Sequence, residues 1–177
     1  MDSALGISLK TQDLEDEFSI INVYGPYHDM VTYWESFLNK SCFSGNSIIL
    51  GGDLNFSLDK AEVWGSRARA DILTDFFTQR LAARNLLDIE PVCLKPTWRN
   101  NRKCENRVAK HLDHFLVSYS LVDRNFLIRQ WTRCRGNTDH VPIFMELRKS
   151  PSKPPSPLKF NKVWLKDSSF INLVKSH

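Results

Sequence analysis

This sequence has no apolar stretch approaching the length of a membrane span, so a transmembrane helix is not expected. It is poor in cysteine, and the four it has, Cys42, Cys93, Cys104 and Cys134, lie far apart with no Cys-x-x-Cys among them. That spacing excludes a disulfide framework and a zinc ribbon; reduced thiols in a cytoplasmic or nuclear setting are expected. His111 and His114 with Cys104 and Cys134 offer zinc-ligand types, but one histidine pair at i, i+3 beside scattered cysteines is not the spacing of a zinc site. The N-terminus is rich in Asp and Glu, where a signal or transit peptide carries positive charge, so neither is expected. Nor is a small-molecule cofactor or a membrane partner.

What is present is one domain's worth of chain, 177 residues with 42% hydrophobic and 25% charged side chains, the balance of a soluble globular protein. The formal charge of +4 is unevenly placed. Residues 1 to 60 hold 3 basic and 9 acidic side chains, whereas residues 98 to 149 hold 11 and 5. A basic face able to meet a polyanion is therefore expected from the second half.

The stretch Ser47 to Asn55 organises the chain. Ile48, Ile49 and Leu50 read as a short buried strand, and Gly51-Gly52 lets the backbone turn sharply at its end. Asp53 and Asn55 follow two residues apart, so in extended geometry they share one face. A carboxylate can take a proton from water and a carboxamide can donate to a phosphate oxygen, a pairing that suits phosphoryl chemistry. Gly-Gly-Asp and Asn are equally the residues of a plain turn, so this pair needs the context of the rest of the chain.

In chain order, Gly6 to Lys10 and Phe18 to Val23 read as a hairpin around a polar turn from Thr11 to Glu17, delivering Tyr24 to the loop at Gly25-Pro26. Val31, Trp34, Phe37 and Leu38 predict a helix over Met30 to Asn39 with Asp29 as its cap. Ile72, Leu73, Phe76, Phe77 and Leu81 predict a second helix ending near Asn85, a core stripe rather than a cofactor box. Leu87 to Ile89 and Thr97 read as short strands. The loop after them carries Arg99, Arg102, Lys103, Arg107 and Lys110, and with Asn100-Asn101 it is expected to lie along a nucleic-acid backbone. Leu112 to Val117 is a buried strand whose Asp113 needs a partner, and Val141, Ile143, Met145 and Leu147 alternate as a last strand. Pro151, Pro154, Pro155 and Pro157 make a stiff linker. Phe160, Val163, Trp164, Phe170, Leu173 and Val174 follow as an amphipathic segment. Three segments are expected: 1-149 as a domain, 150-158 as linker, 159-177 as tail.

Four motifs in this order, Asn22-Val23-Tyr24-Gly25-Pro26, Gly51-Gly52-Asp53-Leu54-Asn55, His111-Leu112-Asp113-His114-Phe115-Leu116 and Asn137-Thr138-Asp139-His140-Val141-Pro142-Ile143, resemble the endonuclease/exonuclease/phosphatase superfamily of DNase I and AP endonucleases. Thr97-Trp98 with Asn100-Asn101, and the tail Lys159 to Leu165, resemble the endonuclease domain of plant LINE-type (non-LTR) retrotransposons and its link to a reverse transcriptase. The resemblance implies an α/β fold, a four-layer sandwich of two packed sheets with helices outside, and metal-dependent nicking of DNA. It implies that Tyr24 contacts the scissile phosphate, Asp53 activates water, Asn55 and His140 stabilise developing charge, and Asp113 orients His140. It makes Asp139, together with Asp53, the holder of Mg²⁺ or Mn²⁺, and Thr97, Arg99, Asn100, Asn101 and Arg102 the contacts to DNA. The same core serves phosphatases of small phosphoesters and inositol phosphates, and a non-catalytic nucleic-acid binder is the reading from another class.

Two departures accompany the resemblance. Where plant LINE members usually carry Arg after the strand aspartate, this chain has His114. The family's early strand with an asparagine and its metal-binding glutamate have no counterpart before Gly6, since Glu15 and Glu17 stand too near Tyr24. The expectation is therefore an incomplete sandwich with its N-terminal part missing, weak metal binding, near-silent catalysis and exposed apolar sheet surface.

Overall fold

The computed structural model describes residues 4–11, 17–43, 47–65, 69, 71–102, 104–124, 126–134, 136, 138–149, 166 and 168–176. The proline linker at 150–158, the LINE-like tail at 159–165, Lys103 and Asn137 lie outside the described residues.

The elements in order are β1 (Ala4–Lys10), β2 (Glu17–Tyr24), α1 (Met30–Leu38), β3 (Ile48–Asp53), β4 (Val63–Trp64), α2 (Thr74–Ala83), β5 (Leu86–Asp88), β6 (Trp98–Arg99), β7 (Ala109–Lys110), β8 (Asp113–Ser118), α3 (Tyr119–Asp123), β9 (Phe126–Thr132), β10 (Ile143–Lys149) and α4 (Ser168–Lys175). A five-stranded mixed sheet runs in the order β1-β2-β3-β8-β5, with β2 and β3 parallel and the other neighbours antiparallel. β9 and β10 form a separate antiparallel pair, and β4, β7 and β6 a small third sheet. The mixed α/β class and the N-terminal hairpin are as the sequence predicts.

The central strands of the main sheet are covered on both faces, which is why β3 reads as an unbroken apolar run. Ile21, Val23, Ile48, Leu50 and Leu116 join Trp34, Phe37, Phe77 and Leu81 of α1 and α2 in one core. The alternate positions Phe18, Ile49 and Val117 join Leu121 and Phe126 in the other, with Ile128, Met145 and Leu147 of the β9–β10 pair packed against it. This is the period-two alternation of a strand. In the first core Phe56 lies flat on Phe77, ring centroids 3.5 Å apart.

Some boundaries differ from the sequence reading. Ile72 is 95% exposed, and α2 starts only at Thr74. Asp29 is the residue before α1 but makes no side-chain cap; it takes a left-handed conformation instead, φ 53°. Asn85 closes α2 in the left-handed region expected of it, φ 53°. α4 forms in the C-terminal segment and buries none of its side chains.

Candidate active site

Three strand ends place the motif residues side by side. Tyr24 of β2 is in register with Asp53 of β3, which is in register with Asp113 of β8. The two glycines before Asp53 are set by crowding: a Cβ on Gly51 would strike the Phe115 ring, and one on Gly52, at φ 139°, the Val23 carbonyl. The β2 loop is tied back by Gly25 N–H, which donates to the Asp53 carbonyl at 2.6 Å.

His140 arrives from the opposite side, on the loop before β10. Its backbone bridges Trp98, the Val141 amide donates to the Thr97 carbonyl at 2.7 Å, and the Thr138 hydroxyl donates to the His140 carbonyl at 2.7 Å. Its ring Nδ1 lies 2.9 Å from Asp113 Oδ2, and its Nε2 3.6 Å from Asp53 Oδ2. A carboxylate cannot donate, so Nδ1 carries the proton and Nε2 is the atom presented to Asp53 and the cleft. The partner that Asp113 needs is thus His140.

Asp53 Oδ1 accepts from the Asn55 amide at 2.9 Å, while its Oδ2 is buried without a hydrogen-bond partner. Asn55 takes a left-handed backbone, φ 59°, and donates one side-chain N–H to the Gly25 carbonyl. That bond turns its Oδ1 away, buried and likewise unpartnered. Burial pushes the Asp53 carboxyl up to about 6, reinforced by Asp113 and opposed by the Asn55 amide and by His140 and His114. Asp53 Oδ2 and Asn55 Oδ1 are both hard oxygen donors of the kind a divalent cation takes. Asp139 is exposed, and its Oδ2 accepts from the Trp98 indole at 3.2 Å.

A cleft of about 550 Å³ opens beside these groups, lined by Tyr27, Asn55, Trp98, Arg99, Asn100, Asn101, Arg102, Lys110 and Asp139. Tyr27, which sequence reasoning passed over, is 61% exposed, with the Tyr24 hydroxyl 3.5 Å from its own. That contact, then partial burial and the negative charge of Asp53 and Asp139, push its phenol up to about 12. Two of the expected DNA contacts use their polar atoms within the fold. Thr97 is wholly buried, and its hydroxyl accepts from the amides of Leu112 and Asp113 at 2.9 and 3.1 Å. It holds the site from behind and meets no solvent. Asn100 spends its amide on its own loop, donating to Asn106 and accepting from Arg102 and Val108.

His114, which stands where plant LINE members usually carry Arg, does not face solvent. It is fully buried, with Nδ1 3.1 Å from Asp88 Oδ1 and Nε2 3.9 Å from Glu62 Oε2. The site between two carboxylates explains why a cation suits this position. Asp88 and the Glu62 charge raise its basicity against the cost of burial, the largest influence. His111 stacks edge-to-face on it at 4.8 Å. Cys134 is exposed, so the histidine pair finds carboxylates where cysteines had been considered. The Asp59-x-x-Glu62 spacing is a capping-box signature, and the box is formed; nothing in the sequence pointed to Asp88.

No protein-family model matches the chain, and no curated protein sequence does. Solved structures do. The endonuclease domain of TRAS1, a telomere-specific non-LTR retrotransposon, superposes with TM-score 0.62 at 18% identity, covering 83% of this chain and 62% of that one. The AP endonuclease LMAP from Leishmania major gives 0.58 at 16%, covering 84% and 55%. The 3'-5' exonuclease NExo from Neisseria meningitidis gives 0.54 at 18%, covering 80% and 64%. All have the DNase I-like endonuclease/exonuclease/phosphatase fold, and this chain shares it. The chain spans less than two thirds of the length of these structures.

Proposed function

We propose that the chain carries the phosphodiester-cleaving centre of a DNA endonuclease of the retrotransposon type. The observation that carries this reading is the line Asp113–His140–Asp53, at 2.9 and 3.6 Å, beside a basic cleft lined by their neighbours Asn55 and Asp139. Asp53, with its basicity raised by burial, takes the proton of the attacking water. Asp113 fixes the ring of His140 and stabilises it when charged, so that Nε2 donates to a phosphate oxygen. Tyr24, exposed at the same edge, and the remaining N–H of Asn55 are neutral donors to the same phosphate. Arg99, Arg102 and Lys110 hold the flanking backbone charge. Mg²⁺, with Mn²⁺ as substitute, would be held by Asp53, Asp139 and the free oxygen of Asn55, and supplies positive charge where the phosphate becomes more negative. One of the solved structures, described as a 3' phosphatase, holds a product DNA hairpin; that neighbour and the LINE-like stretches favour DNA over inositol phosphates, in a protein working alongside a reverse transcriptase in the cytoplasm or nucleus.

Turnover by this 177-residue chain is slow. The Asp139 carboxylate, one of the expected metal ligands, is shared with the Trp98 indole. Loss of one well-placed electrostatic group costs about 100- to 1000-fold in rate. Plasmid nicking with Mg²⁺ or Mn²⁺ is expected at a low rate that falls to background in an Asp53→Ala, His140→Ala double variant. A phosphoinositide release assay run beside it is expected to stay blank. Robust nicking would overturn the slow-turnover reading, and nicking untouched by the double substitution would overturn the assigned centre. Salt-sensitive DNA binding with no turnover at any metal concentration would leave a binding module instead.

A further inference from the structure

We propose that Glu62 and His114, with Asp88 behind them, form a second divalent-cation site, best suited to zinc and distinct from the Asp53–His140 centre. Along β8 the side chains alternate, so Asp113 serves the catalytic edge while His114 points through the other face of the sheet. The candidate ligand atoms of Glu62, Asp88 and His114 all lie within 4.8 Å of one another.

A metal here takes the place of the proton that the two carboxylates otherwise favour on His114. Asp88 Oδ1 can only accept from His114 Nδ1–H, which leaves Nε2 as the free ring atom, fully buried and without a hydrogen-bond partner. It faces Glu62 Oε2 at 3.9 Å, too far for a hydrogen bond. Two metal–ligand bonds of about 2.0–2.2 Å span such a gap at a bent angle. A carboxylate gripping the far nitrogen of a histidine whose near nitrogen faces a second carboxylate is the arrangement that orients metal-bound imidazole in proteins.

His111 repeats the pattern independently. Its Nδ1 donates to the Lys95 carbonyl at 2.9 Å, so its Nε2 is a second lone pair, buried and unpartnered, on a ring packed against His114. A buried lone pair left unmatched costs about 1–3 kcal/mol, and a cation on His114 Nε2 removes that cost there. Glu62 Oε2 is already held by the amides of Leu58 and Asp59 at 2.6 and 3.2 Å, which fixes the ligand in place before any ion arrives. Mixed imidazole and carboxylate donors favour zinc over the oxygen-seeking Mg²⁺. Two carboxylates and a divalent ion leave the buried cluster neutral, which two carboxylates and one imidazolium do not.

The test uses the full chain, purified without chelator. Bound metal is counted by mass spectrometry, and thermal unfolding is followed in zinc and in EDTA. One zinc per chain is expected, with Tm raised by several degrees in zinc and lowered by EDTA. An Asp53→Asn chain is expected to keep its zinc. His114→Arg leaves a cation between Asp88 and Glu62 but no ligand; it is expected to fold, bind no zinc and lose the zinc-dependent Tm shift. Zinc retained by His114→Arg would overturn the proposal, as would a wild-type chain indifferent to zinc. Should His114→Arg fail to fold, cobalt decides on the wild type. Visible absorption bands of four-coordinate cobalt, weakened at least tenfold in titration by Glu62→Gln, support the site, and their absence overturns it.

Discussion

His111 and Asp53 are both buried titratable groups, and burial pulls them in opposite directions. Burial disfavours the charged form of each, so the imidazole of His111 drops to about 4 while the carboxyl of Asp53 rises to about 6. For His111 the unfolded chain binds the proton more readily between about pH 6.5 and 4, so stability falls as pH is lowered through that window, by about 3 kcal/mol at its end. His114, raised, works the other way: its contribution is present in acid and fades as pH rises past its folded value. The two are separated by His111→Asn, which keeps a donor for the Lys95 carbonyl and removes the titration. In EDTA, denaturant midpoints at pH 7 and pH 4.5 are expected to converge in this variant by most of that amount relative to the unsubstituted chain. Equal acid sensitivity would show that His111 is not the group responsible. At this scale the sequence was informative wherever chemistry and strand ends coincide: the need of the Asp113 carboxylate for a partner was legible, the resemblance pointed to His140, and the two lie together. It was silent on burial itself. Thr97 and His114 sit among cationic residues that suggest a DNA surface, yet both side chains point inward, because strand alternation decides direction and local composition does not.

The segment from β6 to β8 is the element on which the centre depends. β6 pairs with β7, bridges His140, and receives the Trp98–Asp139 contact, so one short strand sets the height of the whole catalytic loop. Thr97 locks it to β8 by accepting from the amides of Leu112 and Asp113. Thr97→Val keeps the shape and removes the acceptor, leaving two buried N–H groups unmatched; a loss of about 2–4 kcal/mol is expected, together with reduced nicking as Asp113 and His140 lose register. Urea unfolding measures the first and the plasmid assay the second, while Thr97→Ser is expected to retain both. An unchanged urea midpoint in Thr97→Val would mean that water reaches those amides. None of this lock was legible beforehand. The longer elements were, because β3, β8 and α1 carry six or more residues of consistent periodicity, whereas two-residue strands such as β6 and β7 exist only through their partners. The start of α2 was misread for a related reason: Ile72 fits the apolar period yet lies one turn before any surface it can cover.

Across the molecule, the apolar surface is not fully enclosed. The edge strand β1 exposes Leu5, Ile7 and Leu9 at 72%, 55% and 41%, all on one face, in register with Asn22, Ile20 and Phe18 of β2. Ile20 and Phe18 on that face pack into the second core, against which the β9–β10 pair lies, so the exposed residues continue a surface that is covered elsewhere. A flat apolar row on an unpaired strand edge is a template for association with another chain. Substituting Leu5, Ile7 and Leu9 together by Thr keeps strand propensity and removes most of the apolar area. The unsubstituted chain is expected to elute partly as oligomers and to bind a hydrophobic dye, and the triple variant to run as a monomer with little dye bound. Because the three side chains bury little, the melting temperature is expected to shift by only a few degrees, about the effect of 1 kcal/mol in a chain of this size. A monomeric, dye-free starting chain would show that the row is too short to recruit a partner. A variant that unfolds would show that β1 contributes more to the second core than its exposure implies.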